Sequence, residues 1–142
     1  MLRHHALTAT FGIVAFGLGM FANDLRVSAQ SKARVFELRT YTMHEGKLEH
    51  ELALFRTSLA AAIERTGMKA LGYWTPSEAP QAQNTLIYIV AHDSREAAKK
   101  SWDTFRADPV LIPMREATKR EGPSVVKVDS VFLNPTDFSP IK

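Results

Sequence analysis

Five side chains on short, alternating stretches of this chain have the chemistry to hold or act on an apolar or aromatic molecule: Arg39, Tyr41, Trp74, Tyr88 and His92. A guanidinium stabilises developing negative charge, tyrosine and tryptophan rings grip a flat apolar body, and an imidazole moves protons near neutral pH. Glu37 stands two residues before Arg39. Together they read first as an interstrand ion pair that sets the register of two subunits, and second as an acid and an electrostatic anchor for a polar ligand. Tyr41, Trp74 and Tyr88 have a plain reading as well, as core or interface aromatics.

Several chemistries are excluded or unsupported. There is no cysteine, which removes disulfides, thiolate zinc sites, iron–sulfur clusters and thiol nucleophiles. His44, His50 and His92 fall on a turn, a helix and a strand end, and the six-residue gap between the first two is not a one-face helical spacing. No metal site is expected. No G-x-S-x-G elbow occurs, and the seven glycines are spread singly without a phosphate-loop pattern, so no cofactor is expected either. With 18 Lys and Arg against 15 Asp and Glu, the net charge is only +3 and its basic residues are scattered, which argues against nucleic acid. A length of 142 residues, 45% hydrophobic and 23% charged, corresponds to one globular domain.

The N-terminus reads as a secretory signal. Arg3, His4 and His5 precede an apolar run from Ala6 to Ala22, and Val27-Ser28-Ala29 offers small residues for cleavage before Gln30. The alternative is an uncleaved membrane anchor, for which the run is at the short limit. Removal of 29 residues takes out Arg3, Asp24 and Arg26 and leaves 113 residues at +2. The expected location is periplasmic or secreted, with no membrane contact after cleavage.

Beyond Gln30 the hydrophobic period switches repeatedly. Val35 to Thr42 alternates as a strand, with Phe36 and Leu38 on one face and Glu37, Arg39 and Tyr41 on the other. Leu48, Leu52, Phe55, Leu59, Ala62 and Ile63 then make the stripe of a five-turn helix, ended by Gly67. Met68 to Trp74 is a second strand, and a proline-bearing loop leads to a central strand over Thr85 to Ala91. Asp93, three residues before Glu96, starts a second helix that carries Ala98, Trp102 and Phe105 inward. Asp108-Pro109 opens a further short helix, and Gly122-Pro123 leads into a last strand over Ser124 to Leu133. Residues 134–142 form an arm, whose Phe138-Ser139-Pro140 suits docking on a partner or covering a sheet edge.

Two strand–helix–strand units in this order predict an α+β, ferredoxin-like βαββαβ fold, with helices on one face of an antiparallel sheet. If Phe36 and Leu38 face the helices, the uncovered face carries Glu37, Arg39 and Tyr41. In the last strand the apolar set Val126, Val128, Ser130 and Phe132 belongs under the helices, which sets Lys127 and Asp129 beside Glu37 and Arg39. The expectation is a four-charge cluster flanked by Tyr41 and Tyr88 on the open face, with a partner or ligand over it.

The segments Glu37-Leu38-Arg39-Thr40-Tyr41-Thr42, Gly46-Lys47, Gly72-Tyr73-Trp74, Asn84, Asp108-Pro109 and the closing Pro135 to Lys142 together resemble the NIPSNAP family. The resemblance covers Val35 to Lys142. It departs at Glu45, where the family usually has proline before the glycine, and at Gln81-Ala82-Gln83, which lacks a glycine common there. It implies the dimeric α/β-barrel version of the fold, two sheets facing each other, and brings no agreed catalytic activity. Neighbouring families on that barrel include cofactor-independent monooxygenases, a likeness of fold alone. The expected function is therefore an exported homodimer binding a small hydrophobic or aromatic molecule or a protein. The alternative is a cofactor-independent monooxygenase or isomerase, with Tyr41, Trp74 and Tyr88 gripping the substrate and Arg39 stabilising negative charge.

Overall fold

The computed structural model describes residues 34–142, so the expected signal segment and its cleavage point lie outside the described residues. Strand β1 is Val35–Met43; helix α1 covers residues 48–65; β2 is Lys69–Trp74 and β3 Thr85–His92. Helix α2 is Arg95–Ala107, α3 is Ile112–Glu121, and β4 is Val125–Leu133. The order expected from the hydrophobic periods is the order observed.

Helix α1 buries Leu48, Phe55, Leu59, Ala62 and Ile63, the stripe read from the sequence. Its middle, Phe55–Leu59, is π-helical between the α-helical segments Leu48–Leu54 and Ala60–Arg65. It ends where Gly67 takes φ +82°, a left-handed turn that side-chain-bearing residues adopt only with strain. Helix α2 is capped by Ser94, whose hydroxyl accepts from the Ala97 N–H at 3.1 Å, one residue beyond the expected Asp93. Arg65 at the end of α1 bonds Asp108, just past α2 (2.8 Å), and Asp108 also accepts from the Val110 N–H, so one carboxylate ties the end of α1 to the start of the helical turn at Pro109–Leu111.

The sheet order is β2-β3-β1-β4 with every neighbouring pair antiparallel, the ferredoxin-like arrangement. The register decides which residues share a face, because directly opposed residues project to the same side. Glu37 stands opposite Val90 and Phe132, Arg39 opposite Tyr88 and Ser130, and Tyr41 opposite Leu86 and Val128. Phe36 stands opposite Ala91 and Leu133, and Leu38 opposite Ile89 and Val131.

The face assignment of β1 is thereby reversed. Glu37, Arg39 and Tyr41 point toward the helices, while Phe36 and Leu38 belong to the open face. The four-charge cluster does not form: Lys127 and Asp129 lie opposite Thr42 and Thr40 on the open face and pair with each other at 2.9 Å. The assignment of β4 holds at Ser130 and Phe132. Val126 and Val128 stay exposed, beside an irregularity between Thr42 and Met43 that lets Val125 join the core.

The core between sheet and helices contains Met43, Leu48, Phe55, Leu59, Ile63, Met68, Leu86, Tyr88, Val90, Trp102 and Leu111. The open face is also apolar, through Leu38, Ile87, Ile89, Val131 and Leu133, and the arm folds back along one end of it. The Arg34 side chain bonds the Lys142 carbonyl, and Lys142 in turn bonds the carbonyls of Thr136 and Asp137. Phe138 points into solvent at 83% exposure. Among the described residues no helix is long and apolar enough to cross a membrane.

Candidate functional site

Glu37 is the centre of a buried polar hub. Its carboxylate is 1% exposed and collects four hydrogen bonds from three strands and a helix. Arg39 Nη1 donates to Oε1 at 2.6 Å and the Ser130 hydroxyl to the same oxygen at 2.7 Å. Trp102 Nε1 donates to Oε2 at 2.6 Å, and His92 Nε2 lies 3.0 Å from that oxygen. Burial alone would raise the Glu37 pKa, but the bonds from His92, Ser130, Trp102 and Arg39 outweigh it and hold the group down at about 2. The carboxylate is therefore ionised at neutral pH and only accepts, which assigns the proton to Nε2 of His92.

Arg39 is fixed on all sides. Its guanidinium lies 4.2 Å from the Trp102 ring and 5.6 Å from the Tyr41 ring. Burial lowers its pKa, but Tyr88, Tyr41 and Glu37 overcome this, so it stays cationic at any working pH. Its Nε is buried without a hydrogen-bond partner among the described residues. The Tyr88 hydroxyl donates to that of Tyr41 at 3.1 Å. Tyr88 is fully buried, and burial together with the neighbouring Tyr41 pushes its phenol well above the usual range.

Four of the five residues expected to do chemistry are thus gathered: Arg39, Tyr41, Tyr88 and His92 share the layer between sheet and helices. Trp74 does not join them. It is half exposed at the end of β2, with its indole lying back over Gly72, where a Cβ would come within 2.6 Å of the ring. Trp102 and Ser130 were missed as members of the hub. Trp102 sat at helical core spacing, which predicts burial but not a bond to a residue 65 positions away. Ser130 was legible in hindsight, as a polar residue inside an otherwise apolar inward set.

Two openings flank this layer. One, of about 440 Å³, runs between α2 and β4 above Glu37 and Trp102 and is edged by Arg95, Glu96, Lys99, Arg106 and Phe132. Its cations are engaged: Lys99 and Arg106 both bond Asp103, and Arg95 stacks on Phe132 at 3.6 Å. The other, of about 380 Å³, lies between α1 and β2 and is walled by Leu52, Phe55, Ala60, Tyr73 and Leu86, with Arg56, Trp74 and Thr75 completing it. The π-helical turn begins at Phe55, on the wall of this cleft; such turns recur at functional sites. Phe55 packs on Tyr41, Tyr73 and Tyr88 with ring centroids 5.4–5.9 Å apart, so one aromatic cluster joins cleft and hub.

Among the described residues no group of three His, Asp or Glu side chains could hold a metal ion. His44 and His50 are exposed, and His92 is turned onto Glu37.

No curated protein matches the chain. Solved structures match its fold. An uncharacterized NIPSNAP domain protein from Burkholderia xenovorans is 25% identical, with a TM-score of 0.62 over 75% of this chain and 98% of its own. A NIPSNAP family protein of unknown function from Agrobacterium tumefaciens is 20% identical, with a TM-score of 0.65 over 78% of this chain and 96% of its own. The sequence model of the family matches residues 36–140, nearly everything from β1 to the end of the arm, and on that match the chain belongs to the NIPSNAP family.

Proposed function

We propose that this chain is a small-molecule-binding module that works as a homodimer and holds its ligand in the cleft between α1 and β2. The cleft carries the reading: its volume of about 380 Å³ falls within the roughly 300–1,000 Å³ of ligand pockets, and its walls are aliphatic and aromatic side chains. Binding is favoured over the alternative of a cofactor-independent oxygenase or isomerase by the positions of the polar groups. Arg39 and His92, which that chemistry would aim at a substrate, both point at Glu37, and Tyr88 is sealed behind Phe55. Filling the cleft tests this. Ala60→Phe should abolish binding of a neutral naphthalene probe while circular dichroism stays native, and unchanged binding would overturn the assignment.

Dimerisation is supported by the open sheet face. Leu38, Ile87, Ile89, Val131 and Leu133 form a continuous apolar surface of a kind that monomers seldom leave in water, and face-to-face packing of two sheets would cover it. Light scattering at micromolar concentration should give a dimer, and Val131→Glu with Leu133→Glu a folded monomer. A monomeric wild type would refute the dimer. Export, with cleavage between Ala29 and Gln30, belongs to the same proposal and rests on the segment's sequence. N-terminal sequencing should begin at Gln30; a chain retaining Met1 counts against it.

A further inference from the structure

From the polar groups of the α1–β2 cleft we infer the class of its ligand: a flat apolar body carrying one anionic group, a carboxylate being the simplest case. The inference rests on the reading of that cleft as a ligand site. The walls contributed by Leu52, Phe55, Tyr73 and Leu86 ask for an apolar or aromatic body. The remaining side chains ask for an anion. Arg56 lines the cleft from α1, one turn after Leu52 and one before Ala60, and makes no hydrogen bond or ion pair among the described residues. It differs in this from Arg39, Arg65 and Arg106, each of which bonds a carboxylate. Thr75, across the cleft at the end of β2, likewise has no side-chain partner there.

No carboxylate lines this cleft. The acid whose charge reaches the cleft wall at Tyr73 is Glu64, which adds to the upward push of burial on the Tyr73 pKa and itself accepts from the Ala70 N–H. Tyr73 therefore stays a neutral phenol at working pH and leaves the positive charge of Arg56 uncompensated. A guanidinium presents a rigid fork that matches a carboxylate with two parallel bonds, and a threonine hydroxyl adds a third donor. A cationic ligand would meet like charge, and a fully apolar one would leave Arg56 and Thr75 without partners. The groove between α2 and β4 offers no equivalent, because Lys99 and Arg106 bond Asp103 and Arg95 stacks on Phe132.

Three probes of one shape separate the outcomes: 2-naphthoate, 2-naphthamide and 2-naphthylmethylamine, added to the purified protein. Binding is followed by backbone amide resonances of Phe55, Ala60, Tyr73 and Thr75. The anion should bind about fivefold more tightly than the amide, the scale of an exposed arginine–carboxylate pair, and the amine most weakly. Arg56→Gln, which keeps most of the stem, should erase the fivefold preference for the anion over the amide. Equal affinity for anion and amide, or tighter binding of the amine, overturns the anionic class while leaving the cleft as a site. If none of the three moves these resonances, the cleft reading falls and the inference falls with it.

Discussion

Replacing Glu37 with glutamine should cost this fold about 3–5 kcal/mol, although only one atom changes. The carboxylate stands at about 2 in the folded chain against an ordinary 4.5. At roughly 1.36 kcal/mol per tenfold change in proton affinity, that difference corresponds to about 3 kcal/mol of stability at neutral pH. The geometry gives the upper figure. Oε1 accepts from Arg39 and Ser130, and Oε2 from His92 and Trp102. Whichever way an amide is turned, its NH2 faces either Arg39 or Trp102, and neither can accept. Arg39 also loses its counter-charge inside the protein, a change that costs about 3–5 kcal/mol where buried pairs are broken. The pH dependence has a definite sign. Because the folded pKa is depressed, the stabilisation is complete above about 4.5 and is lost as pH falls toward about 2. Urea unfolding at pH 7, 5, 3.5 and 2.5, at one protein concentration, should show a gap between wild type and Glu37→Gln that narrows below pH 4.5. A variant within about 1 kcal/mol of wild type at pH 7, or a gap constant across the series, would refute the reasoning.

Two further outcomes follow from the same layer. Trp102→Phe keeps an aromatic ring but removes the N–H to Glu37, so it should cost at least about 1.5–3 kcal/mol and raise the Glu37 pKa, moving the acid-unfolding midpoint upward; an unchanged midpoint counts against the bond. The buried Tyr88 phenol contributes stability that is present below the ordinary phenol range and lost as pH rises through its elevated value, so it should not ionise while the fold is intact. In an ultraviolet titration, Tyr88→Phe should leave the groups ionising in the native state unchanged and remove one of the three after alkaline unfolding.

The elements and their order were legible because each announces itself locally. β1 alternates, α1 carries a stripe at helical spacing, and Gly67 supplies the left-handed residue that ends it. The faces of β1 were not legible. Placing Phe36 and Leu38 inward assumes that the other side of the sheet meets water, yet here both sides are largely apolar. The polar set went inside because Glu37 found partners 55, 65 and 93 residues away, at His92, Trp102 and Ser130. No single strand displays such partners. The cleft was hidden for a related reason: Phe55 and Tyr73 look like ordinary core aromatics, and only the packing of α1 beside the edge strand β2 leaves a gap between them.

The hub's value lies in position more than in stability. Replacing a buried ion pair with well-packed apolar residues is often neutral or stabilising, so four donors on one carboxylate are a costly way to hold a core. What the arrangement does supply is a single geometry. A β3 residue, a β4 residue and an α2 residue must all meet one carboxylate of β1, which fixes the register of three strands and the height of the helix above them. Arg39, held by Glu37 and Trp102, stands 5.6 Å from the Tyr41 ring; Tyr41 bonds Tyr88, and both rings pack on Phe55. Phe55 is at once a wall of the cleft and the first residue of the π-helical turn. A shift of Glu37 therefore reaches the cleft through side chains in direct contact, with no loop or hinge between. The cleft at one edge of the sheet is thereby joined by packed side chains to an ionic hub nearer the other.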